Sequence, residues 1–188
     1  MPARLVVSIL VCLLLMPGLA QAKRLRFSGY DFTVKQGRGL GPGPNDWSKS
    51  QVSVDGHLKF SQVDGDWYAG EIRSVSKFGF GTYEMVFTGD IGGQDRNVVF
   101  GFFNYPSADV GPDTTNEIDI EFARWGSTAN NPLNYTVWPA KNALSSTGRN
   151  SGFPKGERRS LHRFTWARDS VRYYSATLDD DGNPLREW

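Results

Sequence analysis

The sequence predicts an all-β protein built as an antiparallel β-sandwich of jelly-roll type. Three observations predict it. No stretch of about 12 residues or more carries a helical period. Short runs of alternating apolar and polar residues recur between turn-rich segments. Aromatics make up 13% of the chain and glycines number 21, a combination suited to strands joined by tight turns.

Residues 1–22 read as a secretory signal peptide. Arg4 gives the positive start, residues 5–15 are almost unbroken apolar sequence, and Ala20-Gln21-Ala22 supplies small residues before a cleavage site. The apolar run is shorter than the roughly 20 residues that a membrane-spanning helix needs. The remainder, residues 23–188, is long enough for one domain with its own core. The only cysteine, Cys12, falls inside the leader, so the exported chain would rely on packing, or on a bound ion, rather than disulfides.

The strands are expected as follows. Residues 51–60 alternate around Val52, Val54, Leu58 and Phe60, with Asp55-Gly56 as a turn. Residues 70–74 are short and would pair with them. Residues 81–87 alternate Tyr83, Met85 and Phe87 against Thr82, Glu84 and Val86. Residues 97–103 are apolar on both faces and read as a central strand. Residues 117–122, 135–138, 161–166 and 171–175 complete the set. Residues 37–45, 105–116 and 140–155 are loops by composition.

Charge narrows the partners. The chain holds 21 basic and 20 acidic residues, and setting Arg4 aside makes them equal. No basic excess would draw the protein to nucleic acid or to anionic lipid. A neutral polymer suits this balance, and abundant flat rings suit sugar C–H faces, although burial preferences assign most such rings to a core. His57 and His162, the only histidines, show no metal spacing and no Ser/His/Asp arrangement.

The chemistry concentrates in Asn116-Glu117-Ile118-Asp119-Ile120-Glu121-Phe122. Strand side chains alternate faces, so Glu117, Asp119 and Glu121 share one face, while Ile118, Ile120 and Phe122 point into a core. Three like charges at steps of about 7 Å repel one another, a cost that a purely structural strand has no reason to accept. Repulsion and partial burial raise a carboxyl pKa and keep a proton available for donation. Glu117 and Glu121 are about 13 Å apart along the backbone, and their side chains can lean together. The spacing permits a retaining glycosidase pair, at about 5–5.5 Å, or an inverting pair, at about 6.5–9.5 Å. A solvated face and a carboxylate-built calcium site are the alternatives on pattern alone.

The five residues Glu117-Ile118-Asp119-Ile120-Glu121 resemble the signature of glycoside hydrolase family 16, the group of lichenases, laminarinases and xyloglucan transglycosylases on a concanavalin-like jelly roll. Further stretches resemble the same family: Gly41-Pro-Gly-Pro-Asn45-Asp-Trp47, Phe78-Gly79-Phe80-Gly81-Thr82-Tyr83-Glu84, Asn97 to Tyr105, Asn134 to Pro139 and His162 to Trp166. The resemblance implies Glu117 as nucleophile, Glu121 as acid and then base, and Asp119 as the residue that orients and tunes the nucleophile, in a retaining double displacement. Single-residue spacing between the acids resembles the lichenase and xyloglucan branch. The substrate would be a β-glucan-type polysaccharide, no cofactor is expected unless a structural calcium ion is bound, and the protein would be secreted, extracellular or periplasmic, as a monomer. Trp125, Asn134, Tyr135, Trp138 and Glu84 are the candidate sugar contacts.

Two departures accompany the resemblance. Val86 stands where lichenase-type members commonly carry Arg. Family domains also continue past the strand that matches residues 171–175, so C-terminal strands are expected to be missing after Trp188, just beyond the turn Asp179-Asp180-Asp181-Gly182. The competing expectations are a non-catalytic glycan-binding module and an inactive fragment of such an enzyme.

Overall fold

The computed structural model describes residues 23–55, 57–60, 67–107, 109–112, 115–139 and 149–188. The expected signal peptide, the Gly56 turn position and most of the 140–155 loop lie outside the described residues. The chain divides into two compact units, residues 1–78 and 79–188.

In the first unit, β1 (Arg24–Phe27) and β2 (Tyr30–Val34) form a hairpin, and β7 (Ile72–Ser74) adds to β2. The β1–β2 turn is Ser28-Gly29, both at positive φ (50° and 84°), as a two-residue hairpin turn with the twist of its strands requires. The expected partner of residues 70–74 is therefore corrected: Ile72 pairs with Val34, not with the 51–60 hairpin. That hairpin does form, as β5 (Val52–Asp55) and β6 (His57–Phe60). Residues 37–45, expected as loop, instead contribute the short ribbon of β3 (Gly37–Leu40) and β4 (Asn45–Trp47). Lys35 fixes this region. Its ammonium pairs with the buried Glu71 at 2.9 Å and sits 3.8 Å from the Trp47 ring centroid. A charge-paired Glu71 escapes the cost of an isolated buried carboxylate.

The second unit is a sandwich. One sheet has the order β12 (Arg149–Ser151), β11 (Leu133–Val137), β10 (Ile118–Phe122), β9 (Phe100–Asn104). The other has the order β15 (Pro184–Glu187), β14 (Val171–Leu178), β13 (Arg159–Trp166), β8 (Gly81–Thr88). All pairings are antiparallel. The strand read as central from its apolar run, β9, instead ends its sheet among the described strands. Val98 is drawn out of it by a turn to the Asp95 carbonyl.

The two sheets meet through aromatic side chains. Phe102 lies 5.5 Å from Phe164, Phe100 lies 4.8 Å from Phe87, and Tyr135 stacks on Tyr173 at 4.7 Å between centroids. Ile118, Ile120, Phe122, Leu133 and Phe164 are all buried in this core. Each large apolar side chain buried so fully contributes about 1.5–3 kcal/mol. The core also holds one polar cluster. The buried His162 ring bridges the Ser160 and Ser175 hydroxyls, at 2.8 and 2.9 Å. Burial holds this imidazole at about pKa 4, and therefore neutral at ordinary pH. Past the turn at residues 179–183, β15 returns to pair with β14, and Trp188 packs against Phe153.

Candidate active site

The site is built on β10, the inner strand between β9 and β11. Its core face carries Ile118, Ile120 and Phe122, which anchor it to the opposing sheet. Period-two alternation then turns Asp119 and Glu121 to the other face. Glu117 immediately precedes the strand, and its carbonyl accepts the Trp138 backbone N–H at 2.9 Å. Asn116, just before it, adopts left-handed φ (55°), which bends the chain into the strand. Asn tolerates this conformation better than most residues.

The neighbouring strands complete the face. Asp119 lies opposite Phe103 on β9 and Thr136 on β11, and Glu121 lies opposite Gly101 and Asn134. Gly101 keeps the space beside Glu121 open. A Cβ there would stand 3.4 Å from the Phe103 ring and 3.8 Å from Glu121 Cγ. Phe103 and Thr136 were not among the sequence candidates. Their signal was the alternation itself, once the register of β9 and β11 against β10 is known.

Asp119 is the most buried of the three acids, at 4% exposure. Its Oδ2 accepts the Trp138 indole N–H at 2.8 Å. Burial, then the charges of Glu117 and Glu121, push its pKa up to about 8, and the Trp138 hydrogen bond only partly opposes them. Asp119 is therefore mostly protonated at neutral pH, and it shares a hydrogen bond with Glu117. Glu121 is also raised, by burial first and by the Glu117 charge second. Beneath Asp119, on the core side, the Tyr173 hydroxyl donates to the Thr136 carbonyl at 2.6 Å and so supports the strand that carries Trp138.

The remaining candidates separate. Asn134 shares the carboxylate face, but its amide N–H groups donate to the Ala123 and Pro132 carbonyls at 3.1 and 2.9 Å, tying the ends of β10 and β11 together. Trp125 is exposed just after β10 and has left-handed φ (50°). Tyr135 is corrected: its partner in β10 is Ile120, so it faces the core and is buried. Glu84 is corrected as well. It lies on β8 in the other sheet, opposite Arg163, to which it is paired at 2.6 Å. Its neighbour Tyr83 packs inward against Phe164, so Glu84 points away from the core on the far side of the sandwich. Val86, two residues on along β8, shares that outward face. Among the described residues, no group of three or more His, Cys, Asp or Glu side chains is placed to hold a metal ion.

The fold and the site together define a jelly-roll protein with three acids along one strand. No protein-family model and no curated protein matches the sequence. Solved structures do. A Bacillus licheniformis beta-glucanase is similar with a TM-score of 0.57 at 24% identity, covering 85% of this chain and 77% of its own. A prokaryotic beta-1,3-1,4-glucanase (lichenase) from a mouse hindgut metagenome is similar with a TM-score of 0.51 at 22% identity, covering 87% of this chain and 74% of its own. The chain thus has the β-jelly-roll fold of these glucanases.

Proposed function

We propose that this protein is a retaining β-glucan hydrolase of glycoside hydrolase family 16, exported from the cell and acting on an extracellular polysaccharide. The observation that carries the reading is the single-face array of Glu117, Asp119 and Glu121, with the central acid buried and protonated at neutral pH. The glucanase neighbours point the same way by their fold.

In the first step, a Glu117 carboxylate oxygen bonds to the anomeric carbon as the glycosidic C–O bond breaks. Glu121 gives its proton to the departing oxygen. In the second, a water oxygen bonds to the anomeric carbon, Glu121 takes the water proton, and the ester to Glu117 breaks. The raised pKa of Glu121 suits a group that must be protonated at the start. Asp119, neutral and hydrogen-bonded to Glu117, stabilises the nucleophile in its charged form without adding a third charge. Trp138 fixes Asp119, and the exposed Trp125 offers a ring on which a sugar can stack.

The test is release of reducing ends from a panel of soluble β-glucans by the full chain and by Glu117→Gln. The reading expects cleavage of a β-1,3-1,4-glucan and a loss of at least a thousandfold in the variant. A folded wild-type chain that binds glucan but cleaves none of the panel would make it a glycan-binding module instead.

A further inference from the structure

Beyond β10, the second unit carries a polar pocket of about 350 Å³ whose lining includes Asp95, Arg96, Asn97, Arg124 and Lys155. The lining carries three cations and one carboxylate. Arg124 is fixed by donating to two neutral acceptors, the Gly92 carbonyl at 2.9 Å and the Asn130 carbonyl at 2.8 Å. Its charge is thereby positioned but not neutralised. Among the described residues, Arg96 and Lys155 have neither an ion pair nor a side-chain hydrogen bond. Asp95, the one acid of the lining, is held by neutral donors in its turn: its Oδ1 accepts the Asn97 backbone N–H at 2.8 Å and the Asn97 amide at 3.0 Å, so three positive charges stand against one negative.

The pocket is built into the fold. Gly92 must be glycine, because a Cβ would stand 2.0 Å from the Pro154 carbonyl oxygen. This backbone-to-backbone approach brings Lys155 to the segment that holds Arg124. The Gly126 N–H donates to the Arg96 carbonyl at 3.0 Å, which ties the loop after β10 to a residue of the lining. Between Arg124 and Gly126 sits Trp125, 59% exposed and held at left-handed φ. A bulky residue in that conformation is uncommon, and such strain gathers at functional sites. Arg124 follows Glu121 by three residues, a backbone reach of at most about 11 Å.

We propose that this pocket takes an anionic substituent, a sulfate ester or a carboxylate, carried by the glycan whose ring stacks on Trp125; the proposal refines the substrate of the hydrolase reading above and rests on it for the position of the scissile bond. Guanidinium groups match the planar or tetrahedral oxygens of such substituents with charge-assisted hydrogen bonds. A pocket of this volume falls in the range of small-ligand sites, roughly 300–1,000 Å³. With formal charges nearly balanced over the whole chain, at +1, selection for an anion here is local and not a consequence of net charge.

Calorimetric titration of the full chain bearing Glu117→Gln tests the proposal, since that chain should bind without turnover. The probes are a neutral β-glucan oligosaccharide, its sulfated and uronic-acid counterparts of equal length, and sodium sulfate alone. The expected result is at least tenfold tighter binding of an anionic oligosaccharide than of the neutral one. That preference should shrink as salt rises and disappear in Arg96→Gln/Lys155→Gln. Arg168→Ala/Arg172→Ala, which removes two exposed cations elsewhere, should retain it. Equal affinity for charged and neutral chains overturns the proposal, as does equal loss in the Arg168/Arg172 control. Sodium sulfate binding as tightly as the sulfated chain overturns it too, by making the pocket an inorganic-anion site. Cleavage of neutral glucan by the wild type is read separately. If it fails while Arg96-dependent binding persists, the glucan reading falls and the pocket stands.

Discussion

The Trp138 indole N–H points at Asp119 Oδ2 from 2.8 Å, and the Trp138 backbone N–H holds the Glu117 carbonyl at 2.9 Å. One residue past β11 thus braces two of the three acids. Sequence reasoning offers Trp138 as a ring for sugar. The geometry adds a polar duty: its N–H is the contact that lowers the Asp119 pKa against burial and two neighbouring charges.

Trp138→Phe keeps the ring and removes the N–H. The Asp119 pKa should rise further, and the Glu117 backbone should be less well fixed because the indole no longer anchors the turn. A lost hydrogen bond to a buried group costs about 1–3 kcal/mol, so kcat should fall roughly tenfold to a hundredfold. Steady-state kinetics with a matched melting curve checks this, and an unchanged kcat contradicts it.

Asp119 gives a signed pH dependence. Its folded pKa of about 8 lies above the 3.8 of an ordinary aspartate. The folded state therefore binds the extra proton across that window. Asp119 contributes most to stability below pH 3.8, and the contribution is lost progressively as pH rises toward 8. Asp119→Asn should remove this slope. The variant should gain stability relative to the wild type as pH rises from 4 to 8, while its activity falls because an amide donates a weaker hydrogen bond to the Glu117 carboxylate than a carboxylic acid does. Thermal melts of both proteins across the range read the difference.

His162 acts with the opposite sign. Its folded pKa of about 4 lies below the ordinary 6.5, so the unfolded chain binds the proton first. Stability is complete above pH 6.5 and falls as pH drops toward 4, by about 3 kcal/mol. His162→Gln should flatten this acid limb. It should also destabilise the protein at pH 7, because the buried Ser160 and Ser175 hydroxyls lose the ring that bridges them. Denaturant melts at pH 7 and pH 4.5 test both statements.

Gly101→Leu should block the carboxylate face. The added side chain starts 3.4 Å from the Phe103 ring and 3.8 Å from Glu121 Cγ, on the face that carries the acids. Activity should fall more than tenfold with the fold retained, as judged by kinetics beside circular dichroism.

The carboxylate face was legible because it needs only the two-residue period of a strand, and Ile118, Ile120 and Phe122 declare the buried side. Tyr135 and Glu84 were misplaced for a different reason. Their faces depend on which residue lies opposite, Ile120 for Tyr135 and Arg163 for Glu84, and register is a tertiary fact that a single strand does not encode. Residues 37–45 read as loop because glycine and proline dominate them, yet backbone pairing across Gly37 and Trp47 makes a ribbon from a sequence with little strand propensity. The basic pocket was invisible for the same reason as the register: Arg96, Arg124 and Lys155 are far apart in sequence and meet only through the close packing of Gly92 on Pro154.

The central claim is that Glu117 attacks the anomeric carbon while Glu121 supplies the proton. Proton NMR of the first products released from a β-1,3-1,4-glucan tests it most directly. The account predicts that the new reducing end appears first as the β-anomer and then mutarotates. A first product in the α configuration would contradict it and make Glu117 a base that activates water.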